Sequence, residues 1–204
     1  MIARTVGLVI RIEAALLLLP AVVGMLYGEH ETLYFLLTAV LALGLSILLT
    51  LKKPVSTVFY ARDGLLIVAL SWVAMSALGA LPFFLSGEIP SFVDSFFETV
   101  SGFTTTGSSI LTDVESLSRG MLFWRSFTHW IGGMGILVFA LAVLPAAKGE
   151  SRAMHILRAE MPGPSIDKLV PKVRTTALIL YAVYFVMTVA EIVLLVLGGM
   201  DLFD

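Results

Sequence analysis

Five stretches of this chain are each long enough to cross a hydrocarbon core, which takes about 20 apolar residues. They run roughly Val6–Tyr27, Leu33–Leu51, Gly64–Leu85, Met121–Leu144 and Thr176–Leu197. In lipid every peptide group must find its hydrogen bond inside the protein, so apolar segments of this length fold as helices. The fold class expected is an all-α polytopic membrane protein. Composition agrees, with 58% hydrophobic and only 14% charged residues and a mean hydropathy of +0.99. The first stretch is too long for a signal peptide and lacks a small-x-small cleavage site before Gly28-Glu29-His30-Glu31, so it is read as a retained helix. There is no cysteine, which removes disulfides and thiolate metal sites. A formal net charge of −2 argues against a nucleic-acid partner; the partner implied by composition is the lipid bilayer.

The connections differ sharply in charge. If every stretch crosses, Arg4, Arg11, Lys52, Lys53, Arg62 and the six cations from Lys148 to Arg174 share one side, which is 11 of the 13 basic residues. Arg119 and Arg125 fall on the other side, where Glu29, Glu31, Glu88, Asp94, Glu98, Asp113, Glu115, Asp201 and Asp204 collect. The positive-inside rule then puts the N-terminus in the cytoplasm and the Glu88–Arg119 connection outside.

That outer connection holds a short helix. Pro90 precedes Ser91, and Asp94 follows three residues later, a capping-box-like start to a helix through about Val100. About eleven residues reach only about 16 Å, half the bilayer core. Phe92, Phe96, Phe97 and Phe103 supply apolar surface for membrane depth, and the following residues are uncharged until Asp113. A re-entrant pore helix fits better than a helix lying on the outer surface. Entering from outside, it aims its partially negative C-terminal end at the bilayer centre, where a cation would rest.

The next residues, Ser101 to Ser109, read SGFTTTGSS. Irregular backbone at membrane depth survives only when packed in protein or lining a wet cavity, and carbonyls there can replace the hydration shell of a passing cation. Thr104, Thr105, Thr106, Gly107 and Ser108 supply successive carbonyl and hydroxyl oxygens without a net charge that would bind too tightly to release the ion. Gly107 can take a positive φ at little cost, and the β-branched threonines stiffen the flanking backbone. The segment is read as a potassium-type selectivity filter. The expected architecture is therefore five transmembrane helices plus one re-entrant pore helix and a filter loop.

The succession of spanning helix, pore helix, SGFTTTGSS and FWRSFTHWIGGMGILVFALAVLP resembles the Trk/Ktr/HKT superfamily of potassium transporters, in its bacterial TrkH-like branch. The likeness extends to Ala61-Arg62-Asp63-Gly64, Glu160-Met161-Pro162-Gly163-Pro164 and Gly198-Gly199-Met200-Asp201-Leu202-Phe203-Asp204. It implies four helix–pore-loop–helix repeats around one pore, in a multi-pass protein of the bacterial plasma (inner) membrane. Thr105, Thr106 and Gly107 would carry ion-coordinating backbone with Ser108 adjacent, potassium resting at Thr105 and Thr106, and Thr104 and Gly102 in support. In plant relatives a serine at the first-repeat glycine goes with sodium preference, so Gly107 points to potassium. The transported potassium ion is the only cofactor implied; no organic cofactor is. The resemblance also implies a homodimer and a cytosolic nucleotide-binding regulatory ring that docks on the cytoplasmic face. By this likeness residues 1–60 form an N-terminal transmembrane helix pair and 61–147 the first repeat. Residues 148–175 form a basic cytoplasmic loop, and 176–204 the first helix of a second, truncated repeat. With a single filter strand, the polypeptide alone is expected not to conduct.

Other residues have plainer readings. Gly132, Gly133 and Gly135 permit close helix approach behind the filter. Trp124, Trp130, Arg125 and His129 are placed near the outer boundary as an aromatic belt with polar heads. Glu13 is read as snorkelling toward the cytoplasmic edge near Arg11. Glu191 either hydrogen-bonds the back of a filter loop or lends negative potential to arriving cations. Two competing functions are a non-conducting membrane scaffold and an intramembrane hydrolase using His129 with Ser126 or Thr128, which has no carboxylate in its span to orient the histidine. The chain is not expected to be an enzyme.

Overall fold

In a computed structural model of the 204-residue chain, the residues described are 2–51, 61–135, 173–201 and 203. Among them every regular element is a helix: α1 (Ile2–Leu16), α2 (Leu18–Leu26), α3 (Thr32–Leu51), α4 (Ala61–Gly79), α5 (Leu81–Ser86), α6 (Phe92–Phe103), α7 (Arg119–Gly133) and α8 (Val173–Leu197). Four segments are long and apolar enough to cross a membrane: Ile2–Leu26, Thr32–Leu51, Arg62–Ser86 and Leu178–Leu197. They coincide within a few residues with the first, second, third and fifth apolar stretches of the sequence. The fourth, Met121–Leu144, is described only as far as residue 135, where it forms the 15-residue α7; its remainder and most of the basic loop lie outside the described residues.

Two of the spans are broken where the sequence reading drew them continuous, and proline explains both. Pro20 has no N–H to give to the Leu16 carbonyl four residues back, and α1 ends at Leu16. Likewise Pro82 cannot bond Leu78, and α4 gives way to α5 around Ala80. Neither break is a full stop. Leu17 N–H still donates to the Glu13 carbonyl at 2.9 Å, and Ala80 N–H to Ser76 at 3.1 Å.

The interior is organised around α1 and the α4–α6–α7 group. α1 packs against α3 at Gly7, where a Cβ would come within 2.9 Å of the Leu49 side chain, and Ser46 Oγ donates to the Gly7 carbonyl at 2.6 Å. Arg11 lies along this seam, its guanidinium donating to Ser46 Oγ at 3.1 Å and Thr50 Oγ1 at 3.0 Å. Glu13, by contrast, is fully buried, and among the described residues its carboxyl oxygens have no hydrogen-bond partner. It does not snorkel, because helix periodicity turns it to the face of α1 that also buries Val6, Val9 and Ile10.

Trp124 is also inside. It is fully buried, donates its indole N–H to the Gly79 carbonyl at 2.9 Å, and stands edge-on to Phe35 and Phe103. The expected aromatic belt is therefore wrong for Trp124, which locks α7 to α4. α8 is exposed along most of its length. It touches the rest through Trp130, whose indole donates to Thr188 Oγ1 at 3.1 Å and whose carbonyl accepts from Tyr184 at 3.2 Å. Past α8 the chain returns to the other helices, with Phe203 against Tyr27 and under the Arg119 guanidinium.

Candidate functional site

The site is built by α6 and the loop that follows it. Ser91 caps α6 from an extended conformation, its hydroxyl accepting the Asp94 N–H at 3.4 Å, with Asp94 in the first turn. This is the start anticipated from Ser91 and Asp94. The helix runs 12 residues to Phe103, three beyond the expected end, for a length of about 18 Å. Two glycines let it lie directly on α7. A Cβ on Gly102 would collide with the Thr128 side chain, and one on Gly132 would collide with the Phe103 carbonyl. Gly79 admits Thr99 in the same way from α4. Phe103 is fully buried between Trp72 and Trp124. Of the glycines expected behind the filter, Gly132 is a close-packing position against the end of α6, whereas Gly133 faces Tyr184 of α8.

How α6 ends sets the geometry of the loop. Thr105 N–H donates to the Gly102 carbonyl at 2.9 Å and Thr106 N–H to the Ser101 carbonyl at 3.0 Å. This two-bond pattern is the Schellman motif, which needs a left-handed residue one past the cap. α2 and α8 close with the same pattern, and there the left-handed residues are Gly28 and Gly199. On α6 it is Thr105, with φ 55°, the only positive-φ residue other than glycine among the described residues. A β-branched residue in that region is strained. Gly107 follows at φ 74°, so the chain turns twice within three residues.

The hydroxyls continue the order of the backbone. Thr104 Oγ1 donates to the Val100 carbonyl at 2.8 Å. Its single proton being used there, the 2.8 Å contact between the Thr104 and Thr106 hydroxyls has Thr106 as donor. Thr104 to Ile110 are exposed on the surface of the chain. Among the described residues, none donates a hydrogen bond to the carbonyls of Thr105, Thr106, Gly107 or Ser108. Those oxygens are therefore neutral, closely spaced and unspent. Among the described residues there is also no group of three histidine or carboxylate side chains that could hold a metal ion.

The far arm of the loop is fastened by a residue that sequence reasoning counted only as outer charge. Glu98, one and a half turns before the end of α6, is 2% exposed. Its carboxylate accepts from Ser109 Oγ at 3.0 and 3.1 Å, from Ile110 N–H at 3.2 Å, and from Arg125 Nε at 2.6 Å. Arg125 is thus the buried carboxylate's partner rather than a head group of an aromatic belt. Glu191, assigned a role behind the filter or in its potential, is exposed on α8 and forms no bond to the loop. The available signal for Glu98 was a carboxylate in the middle of the pore helix, beyond Asp94 of the first turn, with Arg125 in the middle of the following helix.

Two further carboxylates seat α7. Glu29, from the α2–α3 turn, accepts the Arg119 N–H at 2.7 Å and the Gly120 N–H at 2.9 Å. Glu88, from the α5–α6 turn, accepts the Ser118 N–H at 3.0 Å and its hydroxyl at 2.7 Å. Negative charge at a helix N-terminus is favourable, and these contacts tie the loop's support to the first helices. Burial pushes the Glu88 carboxyl above the ordinary value of 4.5; the Ser118 bonds oppose that shift, and Glu31 and Glu29 add to it. The hydrolase arrangement is not assembled. Thr128 Oγ1 and His129 Nδ1 both donate to the Arg125 carbonyl, at 2.6 and 2.9 Å, and Ser126 faces outward.

Comparison with known proteins follows the same lines. A family model described as TrkH, cation transport protein, matches residues 29–200. The chain is 39% identical over 207 residues to the Trk system potassium uptake protein TrkH of Escherichia coli (strain K12), covering 100% of this chain and 42% of that protein. It is 36% identical over 202 residues to the Trk system potassium uptake protein TrkG of the same strain, covering 97% of this chain and 41% of that one. The crystal structure of the potassium transporter TrkH from Vibrio parahaemolyticus superposes with a TM-score of 0.78 at 32% identity, over 100% of this chain and 40% of that chain. The chain thus spans well under half the length of the relatives it matches.

Proposed function

Because the chain belongs to the TrkH family of cation transport proteins, we propose that it supplies the first filter strand of a potassium uptake transporter in the bacterial plasma membrane. The cation rests on main-chain oxygens of Thr105, Thr106 and Gly107, with Ser108 adjacent and Thr104 and Gly102 holding the bend. The N-terminus is cytoplasmic, and the pore helix α6 enters from outside. Residues 61–147 act as one of four repeats, and the protein works as a dimer with a cytosolic nucleotide-binding ring beneath it. Membership of a transport family also sets the hydrolase reading aside.

The observation that carries this reading is the run of uncharged carbonyls from Thr105 to Ser108, none of which accepts a hydrogen bond from a described residue. Neutral oxygens that have no internal partner are suited to exchanging with the hydration shell of an alkali ion. The α6 macrodipole adds partial negative charge beside them. The test is potassium-limited growth and cation flux in a transport-deficient host carrying the full-length protein. Wild type is expected to restore growth. Gly107→Ser is expected to lose potassium preference, since a Cβ there meets nothing within 4 Å and the change acts on backbone freedom alone. Absence of cation flux from correctly inserted wild type would defeat the proposal.

A further inference from the structure

The loop from Thr104 to Ser108 hangs between two anchors of different kinds. Its first arm is fixed by the backbone bonds that close α6. Its second arm is fixed by one side chain, Glu98, whose carboxylate takes the Ser109 hydroxyl, the Ile110 N–H and the Arg125 guanidinium together. We infer that Glu98 and Arg125 are positioning residues for cation discrimination, resting on the filter reading above: the pair sets where the outer end of the strand stands.

Charge explains why both members are needed. A carboxylate with its side chain only 1% exposed, beside a row of carbonyls, would itself attract a dehydrated cation and hold it. Arg125, with its side chain 18% exposed, neutralises that charge at 2.6 Å. Glu98 can then accept from the loop without competing for the ion. The short charge-assisted contact also orients the carboxylate toward Ser109 and Ile110. Carbonyl oxygens discriminate between alkali ions by number, dipole and placement. A strand free at its outer end would draw in around the smaller ion, and a strand fastened there would not.

The experiment compares potassium and sodium uptake side by side in proteoliposomes holding the full-length protein. The variants are Glu98→Asp, Arg125→Lys and Ser109→Ala, with the amount of folded transporter measured in each. Glu98→Asp withdraws the carboxylate by one methylene, and Arg125→Lys replaces the planar donor with a point charge. Each is expected to lower the potassium-to-sodium ratio by about tenfold, the scale of one charge-assisted hydrogen bond. Ser109→Ala, at an exposed loop position, is expected to lower it by a smaller factor while leaving the ion pair in place. Should Glu98→Asp not fold, Ser109→Ala decides. An unchanged ratio per folded molecule, even with a lower melting temperature, would make the pair a brace only and overturn the inference. A wild type with no potassium preference would instead defeat the filter reading, and the inference with it.

Discussion

Among the described residues Thr105 is the one non-glycine residue with a positive φ, and replacing it with glycine yields a prediction with opposite signs in two assays. In the left-handed region a non-glycine residue costs about 1–2 kcal/mol. Glycine removes that cost, but its freer unfolded chain returns about 0.5–1 kcal/mol. Thr105 is exposed, so little packing is lost. Thr105→Gly is therefore expected to stabilise the fold by about 0.5–1 kcal/mol, a rise of about 1–3 °C in melting temperature. Thr105→Ala keeps the Cβ and the strain and is expected to melt close to wild type. In the transport assay, Thr105→Gly is expected to weaken potassium-over-sodium preference, because the bend it frees is the one that presents the carbonyls. Stability gained at the cost of function is the expected signature of a strained functional site. Equal melting temperatures for wild type and the glycine variant, or equal gains for alanine and glycine, would refute the argument from φ.

Gly132→Ala places a Cβ into the Phe103 carbonyl and is expected to destabilise by about 1–3 kcal/mol, the usual cost of overpacking, read by thermal denaturation in detergent. Glu13→Met removes a buried carboxyl that has no partner among the described residues and is expected to raise the melting temperature, as replacing a buried unsatisfied polar group by an apolar one of similar size does. Glu88 has a carboxyl raised by burial, so its contribution to stability is complete below the ordinary value of 4.5 and declines as pH climbs through the raised folded-state value. Glu88→Gln is expected to flatten that decline in a series of melts from pH 4 upward. A wild-type-minus-variant difference that stays constant or grows with rising pH would contradict it.

Features encoded over short sequence distances were legible. Four of the five expected spans followed from apolar length, the start of α6 from Ser91 and Asp94, and the bend at Gly107 from the conformational freedom of one glycine. Close packing at Gly132 and Gly102 is legible as glycine within a membrane helix, although the atoms each would strike are not. Pairings across the chain were hidden. Glu98 meets Arg125 across 27 positions, Glu29 meets Gly120 across 91, and Trp124 meets the Gly79 carbonyl across 45. No local periodicity encodes such partners. Charge counting grouped these carboxylates on one side of the membrane without assigning them partners, whereas Glu98 and Glu88 serve as buried or half-buried acceptors. Pro20 and Pro82 were visible in the sequence, and their missing N–H groups account for breaks that apolar length alone had smoothed over.

The central claim is that the carbonyls from Thr105 to Ser108 hold the ion. Anomalous diffraction from crystals of the full-length protein grown in rubidium addresses it directly. Density is expected within coordinating distance of the Thr105, Thr106 and Gly107 carbonyl oxygens, and it should weaken in Gly107→Ser. Rubidium bound only at side-chain carboxylates such as Glu29 or Glu191, with none along the loop, would contradict the account.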